Sequence, residues 1–127
     1  VHAVTDVTGF GLLGHLLEVC RGSGVAAEIR FAELPLFEDT LALAEAGHVT
    51  GASARNWASH GAEEALPAGF PAARRAVLTD PQTSGGLLVA CAPAAVPDVL
   101  ALFRAEGHAA ARVIGQVVRG PARVRVA

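Results

Sequence analysis

The run Thr5-Asp6-Val7-Thr8-Gly9-Phe10-Gly11-Leu12-Leu13-Gly14 gathers a carboxylate, two hydroxyls and a glycine-rich bend within ten residues. Such a group can hold a hard cation. Mg²⁺ takes oxygen ligands, usually only one or two of them carboxylates, and fills its octahedron with water and phosphate. A helix starting near Gly9 or Gly11 adds oriented N–H groups that favour an anion. In this reading Asp6 is a metal ligand, and Thr8, Gly9 and Gly11 face phosphate oxygens. The other reading is structural, with Asp6 or Thr8 capping the helix. The residue chemistry leaves both open.

Gly9-x-Gly11-x-x-Gly14, with Glu33 further on, also matches the dinucleotide-binding fingerprint, whose acidic residue lies about 20 residues downstream. Two features oppose it. Thr5, Asp6 and Thr8 are polar where a buried parallel strand is apolar. Asp6 would also repel a pyrophosphate unless a metal lay between. A second candidate set is Asp80-Pro81-Gln82-Thr83-Ser84-Gly85-Gly86, just before an apolar run. Ser84-Gly85-Gly86 lets consecutive N–H groups converge on an anion, and Thr83 and Ser84 add hydroxyl donors. Its plain reading is a turn begun by Asp80 and Pro81.

The remaining polar residues suggest less. His2, His15, His48, His60 and His108 lack metal-ligand spacing. His15, among helical leucines, reads as a partly buried structural residue. Cys20 and Cys91 read as inert core thiols. The chain has no Lys, so amine nucleophiles and a phosphate-clamping Lys are excluded within it. No side chain is assigned a catalytic role.

These groups need elements to hold them. Residues 2–7 read as a strand, followed by a helix to about Arg21 whose Leu12, Leu13, Leu16, Leu17 and Cys20 share a face. Gly22-Ser23-Gly24 ends it. Phe10 is expected to pack beneath the turn. Residues 25–31 form a second strand, and 37–46 a short helix. Residues 48–70 lack periodicity and read as a long loop that could hold a helical turn, with Trp57 a packing anchor. A helix over 72–78, a polar loop over 79–86 and a strand over 86–91 follow. A further helix, opened by Pro93 or Pro97, carries a core stripe of Val96, Val99, Leu100 and Phe103. Residues 110–118 form a strand, and 123–126 alternate as a half-exposed edge strand. The mixture predicts an α+β domain: a mixed sheet covered by helices.

Composition sets the frame. The 127 residues, 52% hydrophobic, make one domain with one core. No apolar run is long enough for a membrane span. No basic-then-apolar leader is visible. The chain holds no Met, as expected of a processed chain or one cut from something longer. A net charge of −2 argues against a general nucleic-acid binder. Three Arg against nine acids in residues 1–64, and seven against three in 65–127, read as solvated faces. Two Cys far apart suit a reducing, cytoplasmic setting.

The string TDVTGFGLLGHLLE, Thr5 to Glu18, resembles a motif of the selenophosphate synthetase (selenide, water dikinase) family. So does Thr79-Asp80-Pro81-Gln82-Thr83-Ser84-Gly85-Gly86-Leu87-Leu88. Gly51 with Arg55-Asn56-Trp57 loosely resembles that family's PGGTxRN segment, with Ala52-Ser53 replacing part of it. Val113-Ile114-Gly115-Gln116-Val117 resembles its closing IGxV segment. The likeness runs the length of the chain. It implies the C-terminal domain of an enzyme making selenophosphate from selenide, ATP and water, with release of AMP and phosphate. The implied fold is the α/β/α arrangement of the aminoimidazole ribonucleotide synthetase superfamily. In that family the Asp of TDVTGFG, here Asp6, coordinates the Mg²⁺ that accompanies ATP. The implied partners are the N-terminal domain of the same enzyme and, in full-length form, a second copy. The other metal carboxylates, a Lys and a reactive Cys or selenocysteine belong to that N-terminal domain, so the isolated chain is expected to be inactive. The alternative is a domain of another ATP-dependent synthetase of the superfamily.

Overall fold

Leu13, Leu16, Leu17 and Cys20 recur at helical spacing, and in the computed structural model, which describes residues 1–127, they line the buried face of α1 (Gly11–Ser23). Gly24 stops the helix in the left-handed region, φ 64°, its N–H donating to the Cys20 carbonyl. Glycine adopts that conformation without the steric cost other residues bear.

The buried face of α1 lies on a four-stranded sheet. The strands are β2 (Ala26–Ile29), β3 (Glu64–Ala65), β5 (Gly115–Val118) and β6 (Arg123–Val126), in the order β3-β6-β2-β5. β6 runs parallel to β2 and β3, and β5 antiparallel to β2. Ala27, Ile29, Val124 and Val126 join the α1 leucines, Phe31, Leu34 and Leu78 in one apolar core. Burying a leucine-sized side chain contributes about 1.5–3 kcal/mol. The register sets Glu28 opposite Gln116 and Arg125. The Glu28 carboxylate accepts from Gln116 at 3.1 Å and from Arg125 at 2.9 Å, and these bonds, Gln116's first, hold its pKa below the usual range.

β1 (Ala3–Asp6) and β4 (Leu87–Ala90) form a separate antiparallel ribbon. The other helices are α2 (Thr40–Glu45), α3 (Gly51–His60), α4 (Ala72–Thr79) and α5 (Val96–Ala105). α4 packs against α1, α2 and α3. The domain is thus α+β with a mixed sheet and helices over it, as the residue pattern predicts. No helix is long and apolar enough to cross a membrane.

Four expectations change. Residues 48–70 are not a long loop: they contain α3 and β3. The residues α3 buries are Ser53 and His60, so its inward face has no apolar period to read. Residues 123–126 alternate as expected, with Val124 and Val126 buried, but β6 lies inside the sheet between β3 and β2. Alternation reports which face is covered, not how many strands flank it. The strand over 110–118 begins only at Gly115. The α5 stripe of Val96, Val99, Leu100 and Phe103 is half-buried.

Candidate functional site

The register of the β1–β4 ribbon, Asp6 opposite Leu87, sets the end of one strand beside the start of the other. Two bends therefore meet, one over residues 7–10 and one over 80–86. The Val7 N–H donates to the Gly86 carbonyl at 3.0 Å. The Thr8 carbonyl accepts from the Gln82 N–H at 3.0 Å and from the Gly11 N–H at 3.1 Å. Both motifs flagged by residue chemistry thus fold into one junction.

Glycine is required where the bends touch. A Cβ on Gly85 would stand 1.7 Å from the Val7 carbonyl oxygen. Gly11 has φ +69°, and its Cβ would lie 2.6 Å from the Thr79 carbonyl carbon.

A third segment locks the junction. Thr50 caps α3, its hydroxyl accepting from the Ser53 N–H at 3.1 Å and donating to Asp80 Oδ1 at 3.0 Å. The Ser53 and Thr79 hydroxyls, both buried, lie 2.7 Å apart. Asn56 Nδ2 donates to the Gly9 carbonyl at 2.8 Å and to the Thr79 carbonyl at 2.9 Å. Thr50, Ser53 and the bridging role of Asn56 were not identified from sequence. The available signal was a capping Thr followed by small polar residues at helical spacing.

Asp6 stands exposed at the end of β1, and its carboxylate makes no hydrogen bond within the chain. The helix-cap reading fails: α1 has Phe10 at its N-cap position and no side-chain capping bond. The Thr8 hydroxyl lies 3.0 Å from His15 Nε2, which also accepts from the Phe10 N–H at 3.4 Å. Gly9, Thr83, Ser84 and Gly86 are exposed, Gly85 is half-buried and Gly11 is buried. Phe10 does not pack beneath the turn. It is 55% exposed, with its ring 5.4 Å from that of His15.

The dinucleotide reading is overturned. A nucleotide-binding βαβ unit needs β1 and β2 parallel in one sheet. Here β1 pairs antiparallel with β4, and β2 belongs to the other sheet. Gly14 serves packing instead: its Cβ would lie 2.6 Å from Phe10 Cβ and 2.9 Å from His60 Nε2.

No group of three or more His, Cys, Asp or Glu side chains in the chain is placed to hold a metal ion. The donor set fits Mg²⁺ in one way only. Asp6 offers a single uncommitted carboxylate, and further ligands would come from phosphate, water and groups outside this chain.

Behind the junction, α1 and α3 flank a cleft of about 190 Å³ lined by Phe10, Gly14, Asn56 and His60 among others. His60 Nδ1 lies 2.6 Å from Glu64 Oε1, and both residues are buried. His60 Nε2 and Glu64 Oε2 have no hydrogen-bond partner. Burial raises the Glu64 pKa, outweighing the opposing hydrogen bond from His60. The neighbouring Glu63 is exposed enough to pair with Arg21, whose hydrogen bond lowers its pKa. Burial also pushes the Cys20 thiol up, as suits a core thiol.

Residues 1–127 match the family described as AIR synthase related protein, C-terminal domain. The chain is 61% identical over 99% of its length to a protein of Paraburkholderia xenovorans (strain LB400) named "Selenide, water dikinase". Proteins of the same name from Burkholderia ambifaria (strain MC40-6) and Rhizobium meliloti (strain 1021) are 58% and 48% identical over 100% and 99% of the chain. The chain spans 36% of the length of each of these three relatives.

Proposed function

The chain belongs to the AIR synthase related protein, C-terminal domain family, and from that membership we propose that it is the C-terminal domain of a longer enzyme making selenophosphate from selenide, ATP and water. The relatives' shared name supports the reaction, and their greater length supports a further domain. The observation that carries the reading is Asp6: an exposed, unpaired carboxylate at the junction of three polar segments.

In this proposal Asp6 gives one oxygen ligand to Mg²⁺. The metal, when bound, neutralises charge on the nucleotide's phosphates. The chain's own residues hold that ligand in place and orient the anion beside it. Thr83 and Ser84, exposed on the second bend, would offer hydroxyls to phosphate oxygens, and Gly9 would offer its N–H on the first. The Thr8 hydroxyl and Gly11 N–H are bonded within the bend, and Gly85 packs against the first bend, so these three would shape the site more than contact the anion. Fixed donors aimed at developing charge are most of what a protein contributes to phosphoryl transfer. The nucleophile is water or selenide. The remaining metal ligands would come from the N-terminal part of the enzyme, which we place in the cytoplasm as a homodimer.

The test is Asp6→Asn in the full-length enzyme. Mg²⁺-dependent ATP consumption is expected to fall by about a hundredfold or more, the scale of removing a transition-state contact. The melting temperature should hold, because the Asp6 carboxylate bonds nothing in the fold. Turnover close to wild type would remove Asp6 from the site.

A further inference from the structure

We propose that His15 is a positioning residue for the bend that carries Asp6, acting through an unprotonated Nε2 that accepts from both the Thr8 hydroxyl and the Phe10 N–H. Its bearing on turnover rests on the reading above; its bearing on the bend does not.

The hydrogen-bond pattern assigns the tautomer. The Phe10 N–H can only donate, and it points to His15 Nε2 at 3.4 Å. Nε2 must therefore present a lone pair, which places the ring proton on Nδ1. The Thr8 hydroxyl, 3.0 Å from the same atom, is then the donor in that contact. Helical side chains lean toward the helix N-terminus, so a ring on the second turn of α1 reaches back over its own start. The ring also lies against Phe10, centroids 5.4 Å apart at 37°.

Other bonds hold the backbone of the bend: the Val7 N–H donates to the Gly86 carbonyl and the Gly11 N–H to the Thr8 carbonyl. Gln82 holds the Thr8 carbonyl, and Asn56 holds the Gly9 carbonyl. The Thr8 hydroxyl and the Phe10 N–H have His15 as their partner. α1 has no capping side chain at its N-terminus. His15 does that work from inside the helix, tying the bend to an element anchored in the core by Leu13, Leu16 and Leu17. Asp6 lies two residues before Thr8, so a bend released at Thr8 and Phe10 loosens the aim of the carboxylate.

Two substitutions in the full-length protein separate this from packing. His15→Leu keeps an apolar bulk and removes the acceptor. His15→Gln restores an acceptor through its amide oxygen. Hydrogen exchange at the Phe10 amide reads the bend, and nitrogen NMR of the wild-type ring reads the tautomer. Steady-state kinetics with Mg-ATP read the site. His15→Leu should speed Phe10 exchange by about tenfold, the scale of one lost hydrogen bond. It should lower kcat/KM by about ten- to a hundredfold, as misplacement of a site group does. His15→Gln should recover most of both. A ring protonated on Nε2, or equal impairment by Leu and Gln, would overturn the proposal. So would normal kcat/KM in His15→Leu despite faster exchange. If the wild-type enzyme makes no selenophosphate but exchange responds as stated, the reaction assignment falls and the restraint on the bend stands.

Discussion

Along its middle, α1 rests on side chains: Leu13, Leu16, Leu17 and Cys20 meet Ala27, Ile29, Val124 and Val126 across a buried apolar interface. At its start it rests on backbone, with Gly11 against Thr79 and Gly85 against Val7 where the paired bends close around it. An apolar interface holds by area and volume, so it loses stability in proportion to the atoms removed. A junction of glycines holds by the absence of atoms, and one added methyl has nowhere to go. The second arrangement suits a site, because it leaves polar groups on a rigid rim without building an apolar core beneath them.

The sharpest way to break this contrast is Gly85→Ala. A Cβ 1.7 Å from a backbone oxygen forces the bends apart. The expected loss exceeds about 4 kcal/mol, visible as a failed or much lower thermal transition. Near-native melting would mean that the bends are not in close contact. Leu17→Ala, at a side chain with 0% exposure, should cost about 2–5 kcal/mol in urea denaturation. Leu17→Met should cost less than about 1.5 kcal/mol, which Gly11 and Gly85 could not match for any substitution.

The smallest expected effect concerns two adjacent carboxyls. Burial raises Glu64 above its ordinary value of 4.5, so between that value and the raised one the folded state keeps a proton that the unfolded chain has released. Its contribution to stability is full below 4.5 and is lost as pH rises through the raised value. Glu63 has the opposite sign. Arg21 lowers it, so its contribution is present above 4.5 and is lost as pH falls through the lowered value. Solvent screens the exposed Glu63 pair, so its slope is the weaker. Melting temperature measured against pH should lose the first slope in Glu64→Gln and the second in Glu63→Gln. A Glu64→Gln profile parallel to wild type would show that Glu64 does not carry that proton.

Much of this was legible in the residues. α1 could be read because its buried face is apolar and periodic, and its end because Gly24 takes a left-handed backbone. The two glycine-bearing motifs could be read as bends, because glycines beside Asp, Pro and Ser permit them, and their carboxylate and hydroxyls made them candidates for chemistry beside the plain turn reading. α3 could not, because it buries hydroxyls and a histidine. Pattern reading looks for apolar periods, and a helix packed through Ser53, Asn56 and His60 offers none.

The residue types by themselves determined the α+β character, the core face of α1 and the candidacy of Asp6, since each follows from local period or local chemistry. Only the tertiary structure decided that residues 5–11, 50–56 and 79–86 meet, that β1 pairs with β4 instead of β2, and that His15 faces the bend and not the core. Those outcomes depend on which strand finds which partner across more than 80 residues of chain. Strand pairing is chosen by the packing of the whole molecule, and no window of sequence contains it.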